Sequence, residues 1–226
     1  MVLLISILVL LISVILHEIA HGYMALLFGD DTAYRHRRLS INPLKHIDLV
    51  GSVLLPLILV LTRAPFMFGW AKPVPINPEK LRNKKIDMVF VSLAGPMVNI
   101  ILVILGLGIL KVFTLALGVD FYHTFIGQNS KVRSLLILDS YSLLWLEIGL
   151  QLVLTNIVLA VFNLIPIPPL DGSRIFLPFI RGKQEIIYNE LEKYGIIIIF
   201  VLMYLKAFNF VFEIVLKIVY KIIWFL

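Results

Sequence analysis

The chain has 226 residues, of which 60% are hydrophobic and 15% charged, and its formal net charge is +6. Soluble domains carry about a quarter charged residues, and disordered chains are poor in large apolar residues, so the composition excludes both classes. The absence of cysteine excludes disulfides, thiolate metal sites and a cysteine nucleophile. The remaining class is an all-α polytopic membrane protein, whose basic residues concentrate in cytoplasmic loops, so we expect no nucleic-acid partner.

The first apolar block covers about residues 2–28 and is long enough to span a bilayer. It contains His17-Glu18-Ile19-Ala20-His21, which is the pattern H-E-x-x-H. On a helix this spacing places both imidazoles on one face, where they can bind one Zn²⁺, and Glu18 can take a proton from the bound water. The alternative is a polar patch buried between helices, but ionisable groups inside a spanning helix are costly, which favours the metal site.

The second apolar block, residues 47–62, is short and contains Gly51 and Pro56. If it crosses the membrane, Lys and Arg divide 10 against 7 between the two sides; if it dips in and returns, they divide 14 against 3. Because Lys and Arg accumulate in cytoplasmic loops, the second arrangement is favoured. We therefore expect a re-entrant or membrane-associated segment between the first two spans, an N-terminus outside the cell membrane and a site open towards the cytoplasm.

Two further spans are predicted at about residues 88–112 and 143–165, and each contains asparagine. Asn99 is a candidate for a hydrogen bond to the substrate backbone or to the tetrahedral intermediate, and an ordinary hydrogen bond between helices is the alternative. Asn163 is predicted to brace the proline-rich loop that follows the later helix.

That loop runs from Asn163 to Gly172, and its prolines end the helix and favour extended backbone. Gly172 then permits a turn that can project Asp171 into the bundle. Taken alone, this pattern indicates only a structural turn. However, at about 1.5 Å per residue, His17 lies about 24 Å and Asp171 about 30 Å from the outer ends of their blocks if the two helices run parallel. The two depths nearly match, which favours Asp171 as a third metal ligand.

The last apolar block, residues 194–226, begins as a span and is interrupted by Lys206. Beyond it, Glu213, Lys217 and Lys221 recur every four residues, so this part either lies in the membrane interface or forms a final short span. We expect about five to six transmembrane helices in one domain over residues 1–226. Its core is residues 1–172, and residues 173–226 form C-terminal helices.

The two motifs together resemble the site-2 protease family of intramembrane zinc metalloproteases. That family pairs an H-E-x-x-H helix with a sequence like N-x-x-P-x-P-x-x-D-G at the end of a later helix. The resemblance covers about residues 10–205, and residues 42–48, 68–75 and 94–99 resemble the compact subgroup that lacks PDZ domains.

This resemblance implies that His17, His21 and Asp171 bind one Zn²⁺ per chain and that Glu18 is the general base. It also implies cleavage of peptide bonds in the transmembrane segments of membrane-embedded protein substrates, within the lipid bilayer. An unwound substrate segment is expected to pair as a strand with residues 32–42 or with the second block.

Two rival functions stay open at this point. The chain could be a membrane peptidase that cuts soluble or juxtamembrane segments, or a non-proteolytic metal-binding transporter or scaffold that binds membrane helices. The depth of His17 and the Asp171 motif oppose the first rival. Glu18 opposes the second, because a site that only binds metal does not need it.

Overall fold

The computed structural model describes residues 2–63, 69–117 and 140–224, and within these ranges it is all-α with no strand. The predicted fold class is confirmed. A π-helical segment, Leu49–Leu54, precedes α3, and short 3₁₀ turns lie at Pro43–Lys45 and Pro78–Lys80. The α-helices are α1 (Val2–Leu27), α2 (Thr32–Arg35), α3 (Leu55–Leu61), α4 (Lys84–Leu117), α5 (Ser140–Asn163), α6 (Asp171–Arg174), α7 (Lys183–Tyr204) and α8 (Asn209–Trp224).

Three of the described helices, α1, α4 and α5, are long and apolar enough to cross a membrane, and α7 with α8 counts as a fourth if both belong to one span. This is fewer than the five to six spans expected from the apolar blocks. The second block forms only the short helix Leu49–Leu61, which cannot cross a bilayer. The last block is broken at Lys206, whose φ of +57° ends α7.

Neither candidate edge for a substrate strand is itself a strand. Residues 32–42 contain the helix α2, and the second block is helical throughout Leu49–Leu61. Non-helical backbone in this region lies at residues 38–42 and again at residues 69–77, and in the second of these segments Pro73 and Pro75 favour an extended chain.

The described chain divides into two compact units. The first comprises described residues of Met1–Leu10, Asn99–Val158 and Asn209–Leu226. In it, α4 and α5 approach closely at two glycines, since a Cβ on Gly106 would lie 2.8 Å from the carbonyl oxygen of Gly149. The apolar core beside this contact consists of Val103, Leu110, Leu146, Val153 and Val219.

The second unit comprises described residues of Leu11–Val98 and Leu159–Phe208 and holds the candidate site. Its core includes Ala25 of α1 and Met88 and Val91 of α4. The helix α4 begins with a reciprocal cap, because Asn83 Oδ1 accepts from the backbone N–H of Ile86 while Asp87 Oδ2 accepts from that of Asn83. This cap and core hold the first turns of α4 against the end of α1.

Candidate metal centre

Three buried side chains, His17, His21 and Asp171, converge in the second unit. His17 Nε2 lies 3.0 Å from His21 Nε2 and 3.1 Å from Asp171 Oδ2, and His21 Nε2 lies 3.2 Å from the same oxygen. A tetrahedral ion about 2.0–2.1 Å from each donor would separate the donor atoms by about 3.3 Å. The geometry therefore brings together the three predicted ligands around a space that fits one ion.

The histidines owe their position to the helical spacing of the motif on α1. Their rings meet edge to face with centroids 4.6 Å apart, and each residue is only 6% exposed. His21 Nδ1 lies 2.7 Å from the carbonyl oxygen of Val91 on α4, so this nitrogen carries the proton and donates it. In the neutral imidazole, the Nε2 atom of His21 is then a lone-pair donor that faces the space between the three side chains.

Asp171 reaches the histidines because the loop after α5 turns back tightly at Gly172. A Cβ at Gly172 would lie 2.7 Å from the carbonyl oxygen of Ile165 and would also clash with that of Leu164. The hydroxyl of Ser173 donates to the carbonyl oxygen of Leu170 at 2.7 Å and fixes the turn from its other side. A residue larger than glycine therefore does not fit at position 172. Gly172 lies in α6 without a positive φ, so the structure shows a limit on space rather than the backbone freedom predicted from the sequence.

Gly95 of α4 supplies the wall opposite the histidines. A Cβ at this position would lie 2.5 Å from His21 Nε2 and 2.6 Å from His17 Nε2. Sequence reasoning missed this role, although Gly95 lies within the stretch 94–99 that carried part of the family resemblance. The missing side chain keeps open the space beside both nitrogen atoms.

Glu18 is not one of the three converging donors. It is half-buried, and its Oε2 accepts a hydrogen bond of 2.8 Å from the backbone N–H of Val74 in the non-helical segment 69–77. A carboxylate has acceptor capacity beyond one such bond. Glu18 can therefore accept a proton while this contact is held.

The two asparagines singled out from the sequence make hydrogen bonds elsewhere. Asn99 Nδ2 donates to Asn156 Oδ1 at 2.8 Å in the first unit, which supports the alternative of a hydrogen bond between helices. Asn163 Nδ2 donates to the carbonyl oxygen of Leu159 at 2.9 Å within α5. A substrate contact by Asn99 and a brace by Asn163 stay predictions.

The donor set decides which metal fits. Two imidazole nitrogens and one carboxylate oxygen form a ligand set of catalytic zinc sites, which leave a fourth position for water or substrate. Among the described residues, His17, His21 and Asp171 are the one group of His, Asp and Glu side chains placed to hold an ion. The residues present therefore fit Zn²⁺.

Comparisons with known proteins agree with this geometry. The family model described as Peptidase family M50 matches residues 5–206. The chain is 37% identical over 193 residues to the protein named "Putative zinc metalloprotease YwhC" of Bacillus subtilis (strain 168), a match that covers 85% of this chain and 77% of that protein. It is 28% identical over 199 residues to "Putative zinc metalloprotease Rip2" of Mycolicibacterium smegmatis, covering 88% of this chain and 66% of the relative. No solved structure matches the chain significantly.

Proposed function

The chain belongs to peptidase family M50 and is a zinc metalloprotease, and from that premise we propose that it cleaves peptide bonds inside the transmembrane segments of other membrane proteins. His17, His21 and Asp171 hold the zinc, and Glu18 is the general base. One observation carries this proposal. The buried side chains of His17, His21 and Asp171 converge, and the two histidines belong to a helix that is long and apolar enough to span a membrane.

The position of the histidines in α1 supports a substrate that is embedded in the membrane. The helix begins at Val2 and ends at Leu27, so His17 and His21 lie well inside it rather than at its ends. A helical substrate has its peptide bonds hydrogen-bonded internally, so a short stretch must unwind before the site can reach a carbonyl group. Membrane-embedded protein substrates and the bilayer itself are therefore the proposed partners.

The chemistry follows from the residues around the ion. When bound, zinc polarises the scissile carbonyl and lowers the pKa of the attacking water. Glu18 takes the proton from that water as it attacks and delivers it to the leaving amine nitrogen. Val91 keeps His21 in the tautomer that presents Nε2, and Gly95 leaves room beside both imidazoles.

The proposed topology rests on charge. If residues 47–62 do not cross the membrane, 14 Lys and Arg residues lie on one side and 3 on the other, and the richer side is cytoplasmic. The N-terminus then lies outside a cell membrane, and the site opens towards the cytoplasm. We assign residues 1–226 to one membrane-embedded protease domain.

The test is cleavage of a model single-span protein co-reconstituted with the full chain in liposomes, with the cut mapped by mass spectrometry. We expect a cut within the apolar segment by the wild type. We expect cleavage at least about a hundredfold slower for Glu18→Gln, which should still bind one zinc per chain. A cut confined to residues outside the bilayer would contradict the substrate class. Undiminished cleavage by Glu18→Gln would contradict the role of Glu18.

A further inference from the structure

We propose that residues 70–77 form a strap that positions Glu18 through the peptide group between Pro73 and Val74, and that Arg38 is a positioning residue that acts through this strap. The inference rests on the proposed role of Glu18 as the general base. It explains how the flexible side chain of Glu18 is held in one position beside the metal ligands.

The contact with Glu18 is made by backbone atoms. The N–H of Val74 donates to Glu18 Oε2 at 2.8 Å, and Val74 is only 5% exposed. Glutamate has three rotatable side-chain bonds, and a hydrogen bond to a carboxylate is stronger than one between neutral groups. One such bond in a buried setting therefore restricts the carboxylate to a small set of positions.

Arg38 holds the same peptide group from its other end. Arg38 Nη2 donates to the carbonyl oxygens of Lys72 at 2.7 Å and of Pro73 at 3.2 Å. The carbonyl of Pro73 and the N–H of Val74 belong to one planar peptide unit, and these two groups point in opposite directions. A cation therefore contacts the oxygen end of this unit and a carboxylate its N–H end, an arrangement in which the two hydrogen bonds polarise and strengthen each other.

Further hydrogen bonds fasten the strap on both sides of this peptide. Before it, the N–H of Lys72 donates to the carbonyl oxygen of His46 at 2.8 Å, and the hydroxyl of Ser52 donates to that of Trp70 at 2.8 Å. After it, the N–H of Asn77 donates to the buried carboxylate of Asp30 at 2.6 Å. The strap is thus tied at its start, its middle and its end.

Glycine and proline set the distance between the strap and α1. Gly22 lies one helical turn after Glu18, and a Cβ there would lie 2.9 Å from Val74 Cγ1 and would clash with Leu39. Val74 stands between two prolines, which have no N–H and restrict the backbone on either side. Its N–H is consequently the only strap donor between Lys72 and Ile76, and it faces the helix that carries Glu18.

Hydrogen–deuterium exchange tests the contact without reference to activity. A proteolytic fragment over residues 72–75 has one backbone amide, that of Val74, because its N-terminal nitrogen is an amine and Pro73 and Pro75 have no N–H. In the full chain loaded with zinc in nanodiscs, we expect this fragment to exchange at least about tenfold faster in Glu18→Ala and in Arg38→Met than in the wild type. Arg35→Met is the control, because the exposed guanidinium of Arg35 pairs with Asp31, which is not a strap residue. Unchanged exchange in Glu18→Ala would overturn the proposal.

Kinetics separate positioning from simple folding. We expect Arg38→Met to lower kcat about tenfold while KM and zinc content stay within twofold, and Arg38→Lys to recover part of the loss because it restores one donor. Val74→Pro removes the N–H and should behave like Arg38→Met, whereas Arg35→Met removes a cation that pairs with Asp31 and should stay near the wild type. Loss of zinc, or a rise in KM equal to the fall in kcat, would contradict a positioning role.

The exchange measurement distinguishes a failure of this inference from a failure of the proposed function. If Glu18→Gln still cleaves at the wild-type rate, the base is another group, yet the exchange rate of residues 72–75 still reports whether the strap contacts Glu18. If Glu18→Gln is inactive but the exchange of residues 72–75 does not respond to Glu18→Ala, the base is correct and the strap does not position it.

Discussion

Two buried polar clusters in this chain look similar in composition but differ in how their hydrogen bonds are satisfied. In the first unit, the amide of Asn99 donates to Asn156, and Asn156 donates to the carbonyl oxygen of Leu152 at 2.9 Å. In the second unit, His21 already gives its proton to Val91, so its Nε2 and the carboxylate of Asp171 are both acceptors, yet they lie 3.2 Å apart. Donor facing acceptor stabilises the first cluster, whereas in the second the lone pairs of a neutral His21 and of the Asp171 carboxylate converge, an arrangement that a bound zinc ion satisfies.

This difference gives a general way to distinguish structural polar residues from ligands inside a membrane helix. Burial alone does not separate the two clusters, because Asn99, Asn156, His17 and His21 are all buried. The decisive feature is whether the groups can satisfy one another with the protons that they carry.

Removal of the metal should have the largest effect. Dialysis of the reconstituted chain against a zinc chelator should abolish cleavage of a transmembrane substrate, because His17, His21 and Asp171 alone cannot activate water. Addition of one equivalent of zinc should restore it. Cleavage rates measured beside the zinc content by elemental analysis check this expectation, and full activity in metal-free protein would contradict it.

The next largest effect is expected at the wall of the metal centre. Gly95→Ala introduces a Cβ 2.5 Å from His21 Nε2, so we expect zinc binding to weaken by about 10- to 100-fold, as for changes in the surroundings of other metal ligands. Gly108→Ala is the matched control, because a Cβ at Gly108 meets no atom within 4 Å. Competition with a fluorescent zinc chelator gives both affinities. Equal affinities in the two variants would show that Gly95 does not limit the space for the ion.

The asparagine cluster should respond in stability rather than in metal binding. Asn156→Leu leaves the amide of Asn99 without this acceptor, which should lower the free energy of unfolding by about 1–3 kcal/mol. Zinc content should not change. Thermal unfolding in detergent, followed by circular dichroism, and elemental analysis measure the two quantities. Loss of zinc in this variant would contradict the claim that the asparagine cluster is structural and separate from metal binding.

The smallest effect is expected behind Asp171. Ser173→Ala removes the hydroxyl that donates to Leu170 and so loosens the turn that presents the carboxylate. We expect a loss of about 1 kcal/mol in stability and, because the carboxylate itself is retained, a decrease of only a few-fold in zinc affinity. A loss of zinc as large as that of Gly95→Ala would show that this turn, rather than the open space beside the histidines, limits binding.

The sequence was sufficient for the local part of the site. The spacing of His17 and His21 places them on one face of a helix whatever surrounds it, and apolar length predicts α1, α4 and α5. Asp171 lies 154 residues from His17. Its role as a third metal ligand was predicted from helix depth and a family resemblance, and not from local spacing. Contacts made by backbone atoms, such as the hydrogen bond from the N–H of Val74 to Glu18, cannot be predicted from the residue types, because every residue except proline has a backbone N–H.

Helix lengths were harder to predict for a related reason. The helix α7 begins at Lys183, well before the apolar block at residue 194, because Gln, Glu and Lys are good helix formers that extend the helix beyond its apolar part. Hydropathy identifies only the apolar part of the helix, which can lie in the hydrocarbon core of the bilayer. Similarly, the role of Gly95 depends on how closely α4 approaches α1, which is a property of packing and not of periodicity.

The zinc content of the purified wild type beside Asp171→Ala, measured by elemental analysis, tests the central claim most directly. We predict about one zinc per wild-type chain and little or none in the variant, because two imidazoles without the carboxylate form an incomplete site. Wild-type protein that stays free of metal after zinc is supplied would contradict the account. Equal zinc in both proteins would remove Asp171 from the ligand set.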